Sequence, residues 1–119
     1  VERSMASNCL YIGLKDTAEN LGLPKTNYWI YPGPHYEQQV QDFMDDPDAN
    51  DIPLTYISFP SAKDPSFAER YPGRATIEIV APGPFEWYAE WAGKTWGKRG
   101  DDYEAKKEEY AQRLLNKLY

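Results

Sequence analysis

Apolar and polar residues alternate along several short stretches of this chain and recur at helical spacing along others. Alternation with period two predicts strands, and apolar residues three and four apart predict helices. Cys9 to Leu14, "CLYIGL", is short, apolar and bounded by polar residues, so it reads as a strand. Asn27 to Tyr31, "NYWIY", is rich in β-formers and is stopped by Pro32-Gly33-Pro34. Leu54 to Phe59 and Arg74 to Ala81 are two further strands. Between these last two lies an irregular loop holding Pro60, Pro65 and Pro72. Asp64-Pro65 starts a turn there, the Asp side chain bonding nearby backbone.

Three stretches carry helical spacing. Tyr36, Val40, Phe43 and Met44 predict a helix of about ten residues. Phe85, Tyr88 and Trp91 fall at i, i+3 and i+6, which suggests a short helix loosened afterwards by Gly93, Gly97 and Gly100. Tyr103, Tyr110, Leu114 and Leu118 form the apolar stripe of a last helix, with Asp101-Asp102 as its cap. Asp102 with Lys106, and Glu109 with Arg113, have the spacing of favourable ion pairs. A smaller turn, capped by Asp16 or Thr17, ends near Gly22. "DDPDANDIP" reads as a polar loop. The expected fold is α+β: a mixed, mostly antiparallel sheet of about four strands with helices packed on one face.

The alternation also sorts the strands into two unlike faces. Leu10, Ile12, Leu14, Tyr28, Ile30, Ile57, Phe59, Ile77 and Ile79 share one parity. Cys9, Tyr11, Gly13, Trp29, Tyr31, Tyr56, Ser58, Thr76 and Glu78 share the other. The first face is aliphatic and belongs under the helices. The second is aromatic and half polar, whereas a merely solvated face carries Lys, Glu and Thr. An aromatic second face implies a wall that something else covers. Tyr11, Trp29, Tyr31 and Tyr56 are the candidate residues of that wall; packing against another protein part is the competing use for them.

Composition narrows the function classes. The chain has 119 residues, enough for one domain spanning 1–119. Aromatic residues make up 15%, including ten Tyr and four Trp, which suits a ligand or protein contact as well as a core. A net charge of −6 disfavours nucleic acid, whose phosphates need clustered Lys and Arg. One cysteine, Cys9, allows no internal disulfide and points to a reducing, intracellular compartment. No run of about 18 apolar residues is present, so no transmembrane segment is expected. The chain opens without Met and stops inside a helical pattern, so both ends read as cuts in a longer protein.

Familiar chemistry is missing. No G-x-G-x-x-G occurs. Gly93-Lys94-Thr95 ends like a phosphate loop, but Tyr88 stands where its first Gly must be. Asp46 to Asp51 starts like a calcium loop, but Asp51 replaces the turning Gly and Ile57 the bidentate Glu. His35 and Cys9 are single, too few for a zinc site, and His35 reads as a helix-start residue rather than a general base. No catalytic, cofactor-binding or metal residue is assigned on these grounds.

The order of several loose motifs, however, carries a resemblance. "SFPSAKDPSFAERYPGRATIEIVAPGPFEWY" is a strand, then Pro60-Ser61, Asp64-Pro65-Ser66, a Pro-Gly before a strand, and Pro-Gly again. Together with "SMASNCLYIGLK", "NYWIY" and the final "YEAKKEEYAQRLLNKLY", it resembles the amine-oxidase-like flavoproteins that include phytoene desaturases, carotenoid isomerases and retinol saturases. The resemblance covers nearly the whole chain. It implies that this chain is the cavity-forming, substrate-binding part of a larger FAD-dependent oxidoreductase or isomerase. FAD would then be bound mainly by sequence outside this chain and none by the fragment, which alone would be inactive. The partners implied are the FAD-binding region of the same polypeptide and an apolar polyene, in a parent that could touch a membrane peripherally. The alternative is a self-standing α+β binding module with an aromatic interaction face.

Overall fold

The computed structural model describes residues 6–119. Ser4 and Met5, the start of the first family-like stretch, lie outside the described residues. Four strands form one sheet in the order β1-β4-β3-β2. They are β1 (Ser7–Leu14), β2 (Tyr28–Ile30), β3 (Thr55–Ser58) and β4 (Ala75–Pro82). All three pairings are antiparallel. The α+β expectation therefore holds, with no parallel pair among the described residues.

The register fixes which side chains share a face. Leu10 and Ile12 lie opposite Ile79 and Ile77, and Ile57 lies between Ile79 and Tyr28. These belong to the aliphatic parity read from the sequence. Against them pack α1 (Tyr36–Asp45), a 3₁₀ segment (Phe85–Trp91) and α4 (Asp101–Leu115). Phe43 of α1, Ile79 of β4 and Leu114 of α4 are at most 1% exposed and anchor the core. The Trp87 ring sits edge-on between Phe43 and Tyr110, 5.5 Å from each centroid. Full burial of such side chains stabilises by about 1.5–3 kcal/mol apiece.

Polar contacts tie the helices to this core. The Tyr110 hydroxyl donates to the Pro82 carbonyl at 2.5 Å. Burial pushes the Tyr110 phenol well above its ordinary range, so it stays a protonated donor. Arg113 donates to the carbonyls of Pro47 and Asn50, each at 2.7 Å. Asn50 in turn donates to the carbonyls of Asp42 and Asp46 and closes the C-terminal end of α1. The predicted acidic loop after α1 is thus a fastened connector between α1 and α4.

Several local expectations are corrected. The stretch between β3 and β4 is not irregular; it holds two single helical turns, α2 (Pro60–Lys63) and α3 (Phe67–Arg70). Pro60 stands at the start of α2, where its missing N–H costs nothing. The Ser61 hydroxyl bonds both backbone groups of Thr76, accepting from N–H at 2.9 Å and donating to C=O at 3.3 Å. Asp64 accepts from the Ser66 N–H at 2.9 Å, as its turn role requires. Asp101 and Asp102 do not cap α4. Gly100, at φ 93°, is the cap residue, and the two carboxylates fall in the first turn, where the helix dipole favours them. Arg113 is drawn to the connector carbonyls rather than to Glu109, and Lys106 lies 5.7 Å from the Trp91 ring centre rather than paired with Asp102.

The Pro82-Gly83-Pro84 break is also a packing site. The Gly83 N–H donates to the Ala6 carbonyl at 3.0 Å. A Cβ on Gly83 would fall 2.4 Å from the Asn8 side chain, so only glycine admits this approach. Asn8 then donates to the Tyr88 hydroxyl at 3.0 Å, joining β1 to the 3₁₀ segment.

Candidate functional site

The other face of the sheet is largely bare. Tyr11 is 73% exposed and Trp29 is 59% exposed, although both lie on paired strands. Neither α1 nor α4 covers this side, because the aliphatic parity has drawn both to the opposite face. The register arranges the open face in rows running across the strands. Trp29 lies opposite Tyr56, Tyr56 opposite Val80, and Val80 opposite Cys9. This row crosses three inter-strand spacings, about 14 Å.

The Trp29 and Tyr56 rings meet at 4.8 Å between centroids, tilted by 57°. They line a groove of about 430 Å³ together with Leu54, Val80, Ala81 and Pro82. Apart from the Asn27 and Ser7 side chains at its margin, the lining is apolar. A groove of that volume accepts a small-molecule segment.

Two residues along, about 6.7 Å further down the strands, the next row is polar throughout. Ser58 lies opposite Glu78, and Glu78 opposite Tyr11. The Lys63 ammonium donates to the Ser58 hydroxyl at 2.8 Å and also to the Asn27 side-chain oxygen, closing this row on the β2 side. The neighbouring Cys9 thiol, and next the Glu78 carboxylate, raise the Tyr11 phenol above its ordinary value. Tyr11 is therefore a neutral hydroxyl at physiological pH.

Of the four candidate wall residues, the structure brings Trp29 and Tyr56 into contact. Tyr11 lies on the same face but on the far strand. Tyr31 stands just past β2 and packs edge-on against Tyr36 at the start of α1, 5.7 Å between centroids. Leu54, Val80 and Pro82 were not singled out, although their parity with Tyr56 and Glu78 was there to read. Lys63 carried no local signal, because its partners lie 5 and 36 residues away.

The first turns of the two longer helices do not suit a dinucleotide site. Such a site sets a pyrophosphate on a helix N-terminus after a Gly-rich turn. Here both longer helices carry carboxylates in their first turns: Glu37 in α1, and Asp101, Asp102 and Glu104 in α4. These repel a phosphate. Among the described residues no group of three or more His, Cys, Asp or Glu could hold a metal ion. No described helix is long and apolar enough to cross a membrane.

No family model matches the chain, and no solved structure matches it. Curated relatives do. The chain is 40% identical over 110 residues to an all-trans-retinol 13,14-reductase of Macaca fascicularis, covering 90% of this chain and 18% of that protein. It is 37% identical over 119 residues to the Homo sapiens protein of the same name, covering 98% of this chain and 20% of the relative. A Danio rerio relative, 32% identical over 110 residues, is named an inactive all-trans-retinol 13,14-reductase; 90% of this chain and 18% of that protein are covered. The chain thus spans about a fifth of the length of the curated relatives it matches. Over most of its length the chain is thus similar to a portion of all-trans-retinol 13,14-reductases, in keeping with the flavoprotein group that its motifs resemble.

Proposed function

We infer that this chain is the substrate-side portion of an FAD-dependent oxidoreductase acting on a retinoid polyene, and that it is inactive alone. The observation that carries this reading is the pairing of retinol reductase kinship with a sheet that is sealed by helices on one face and open and aromatic on the other. The open face is one wall of the substrate enclosure, with Trp29 and Tyr56 as its central contacts. Tyr11 lines its edge, and Tyr31 lines it where β2 ends. A polyene is long and apolar, and each CH₂ removed from water contributes about 0.8 kcal/mol. Such a ligand needs extended apolar surface rather than charge, which suits the Trp29–Tyr56 groove.

FAD, in this reading, is held by sequence outside residues 1–119 and supplies the redox chemistry. The residues of this chain bind and orient the polyene and exclude water from one side of it. The isolated 119-residue chain is expected to bind no stoichiometric flavin. The deciding experiment uses the whole polypeptide that contains this sequence. Purified with its flavin and offered all-trans-retinol and a reductant, it should yield a product with one fewer conjugated double bond, seen as a blue shift of the polyene absorbance. A folded, flavin-loaded protein that leaves retinoids unchanged would overturn the activity, and kinship to a relative named inactive makes this test decisive.

A further inference from the structure

The open face is not uniform along its strands. Toward Leu54 and Pro82 it is apolar, through Trp29, Tyr56 and Val80. One row further it turns abruptly polar, through Ser58, Glu78 and Tyr11, with Lys63 bonded in at the β2 side. A hydrocarbon wall ending in a hydroxyl and a carboxylate matches a ligand that is a hydrocarbon ending in an alcohol. We propose that Tyr11 and Glu78 are the specificity residues of this wall: they bind the terminal hydroxyl of the polyene, while Trp29 and Tyr56 bind its hydrocarbon body. This deepens, and rests on, the substrate-wall reading above.

The chemistry of the two groups is complementary to an alcohol. The Glu78 carboxylate accepts a hydrogen bond from the alcohol O–H. The Tyr11 phenol, kept protonated, donates to the alcohol oxygen. Tyr11 is 73% exposed, and its hydroxyl lies beside the Cys9 thiol and the Glu78 carboxylate, so phenol and carboxylate can meet the same ligand group. Lys63 is engaged by Ser58 and Asn27, so the row presents no free cation that would prefer a carboxylate ligand. With the strand spacings added to the step of about 6.7 Å between rows, Tyr11 stands about 12 Å from Tyr56 and about 16 Å from Trp29, a span that only a long, extended ligand bridges.

The test uses the whole flavin-loaded protein and two probes: all-trans-retinol, and the analogue with hydrogen in place of the hydroxyl. Dissociation constants are read by titrating polyene fluorescence. Tyr11→Phe and Glu78→Gln should each weaken retinol roughly 5- to 10-fold, the worth of one hydrogen bond to a polar ligand. Both should leave the deoxy analogue within about twofold. Trp29→Ala should weaken both probes alike. If Trp29→Ala weakens both probes while neither polar variant discriminates between them, the hydroxyl assignment is wrong and the wall survives. Equal weakening of both probes by the polar variants overturns the assignment too, since it reports a disturbed wall. If Trp29→Ala changes neither probe, the wall itself is misplaced.

Discussion

The two faces of the sheet are built from alternate residues of the same strands, yet they obey different rules. On the helix side, Ile57 and Ile79 are buried to within 2% and touch side chains from α1 and α4. On the other side, Tyr11 and Trp29 remain well over half exposed. A residue on the first face is held by packing on all sides, so its removal leaves a cavity. A residue on the second has partners on one side only, so its removal costs the fold little and changes what the face can hold. Stability and exposed contact surface are thereby separated by one peptide unit.

Mutation of each face in turn sharpens or breaks this contrast. Ile79→Ala should destabilise the chain by about 2–5 kcal/mol, measured by urea denaturation, as for other large-to-small core changes. Tyr110→Phe should cost less, about 1–3 kcal/mol, because it leaves the Pro82 carbonyl without its donor. It also has a pH signature. Burial raises the folded-state pKa of Tyr110 above the unfolded value near 10, so its contribution is intact below about pH 10 and is lost as pH rises beyond it. The variant should accordingly show a shallower alkaline loss of stability than the parent chain.

Trp29→Ala should cost under about 1 kcal/mol of stability, because an exposed ring on the short β2 forfeits mainly its contact with Tyr56. A loss equal to that of Ile79→Ala would end the distinction between the faces. The smallest effect belongs to Asp51. Partial burial opposes its ionisation, but Lys117 at 2.6 Å, the Ile52 N–H and Arg113 outweigh it and hold the carboxyl below its usual value. Its contribution is present above the unfolded pKa of about 3.9 and lost as pH falls through the lower folded value. Asp51→Asn should flatten stability between pH 4 and lower pH, by well under about 1 kcal/mol because the carboxylate is half exposed.

Much of this architecture is legible in the sequence because strand periodicity is local. Assigning Leu10, Ile57 and Ile79 to one face and Tyr11, Tyr56 and Glu78 to the other needs only a count by two, and the register bears it out. What was illegible is what depends on distant partners. The Pro60–Lys63 stretch has loop composition, and it becomes a helical turn in company with Thr76, fifteen residues from Ser61. Arg113 had an attractive partner at Glu109 and instead serves carbonyls more than sixty residues away. The change from apolar to polar rows on the open face was hidden for the same reason. It needs the pairing of β3 with β4, which no single stretch encodes.

The Ser61 hydroxyl does by itself what a further residue of β3 would otherwise do for Thr76. One oxygen, acting as donor and acceptor together, lets a central strand run on after its neighbour has turned away. The neighbouring backbone is thereby released to form the turn that carries Lys63 back over Ser58 and Asn27. Replacing Ser61 with Ala would strip both peptide groups of Thr76 and loosen that turn as well. A change at a residue 8% exposed and remote from the Trp29 groove would then be felt first in the tuning of the polar row, before any loss of the strands themselves.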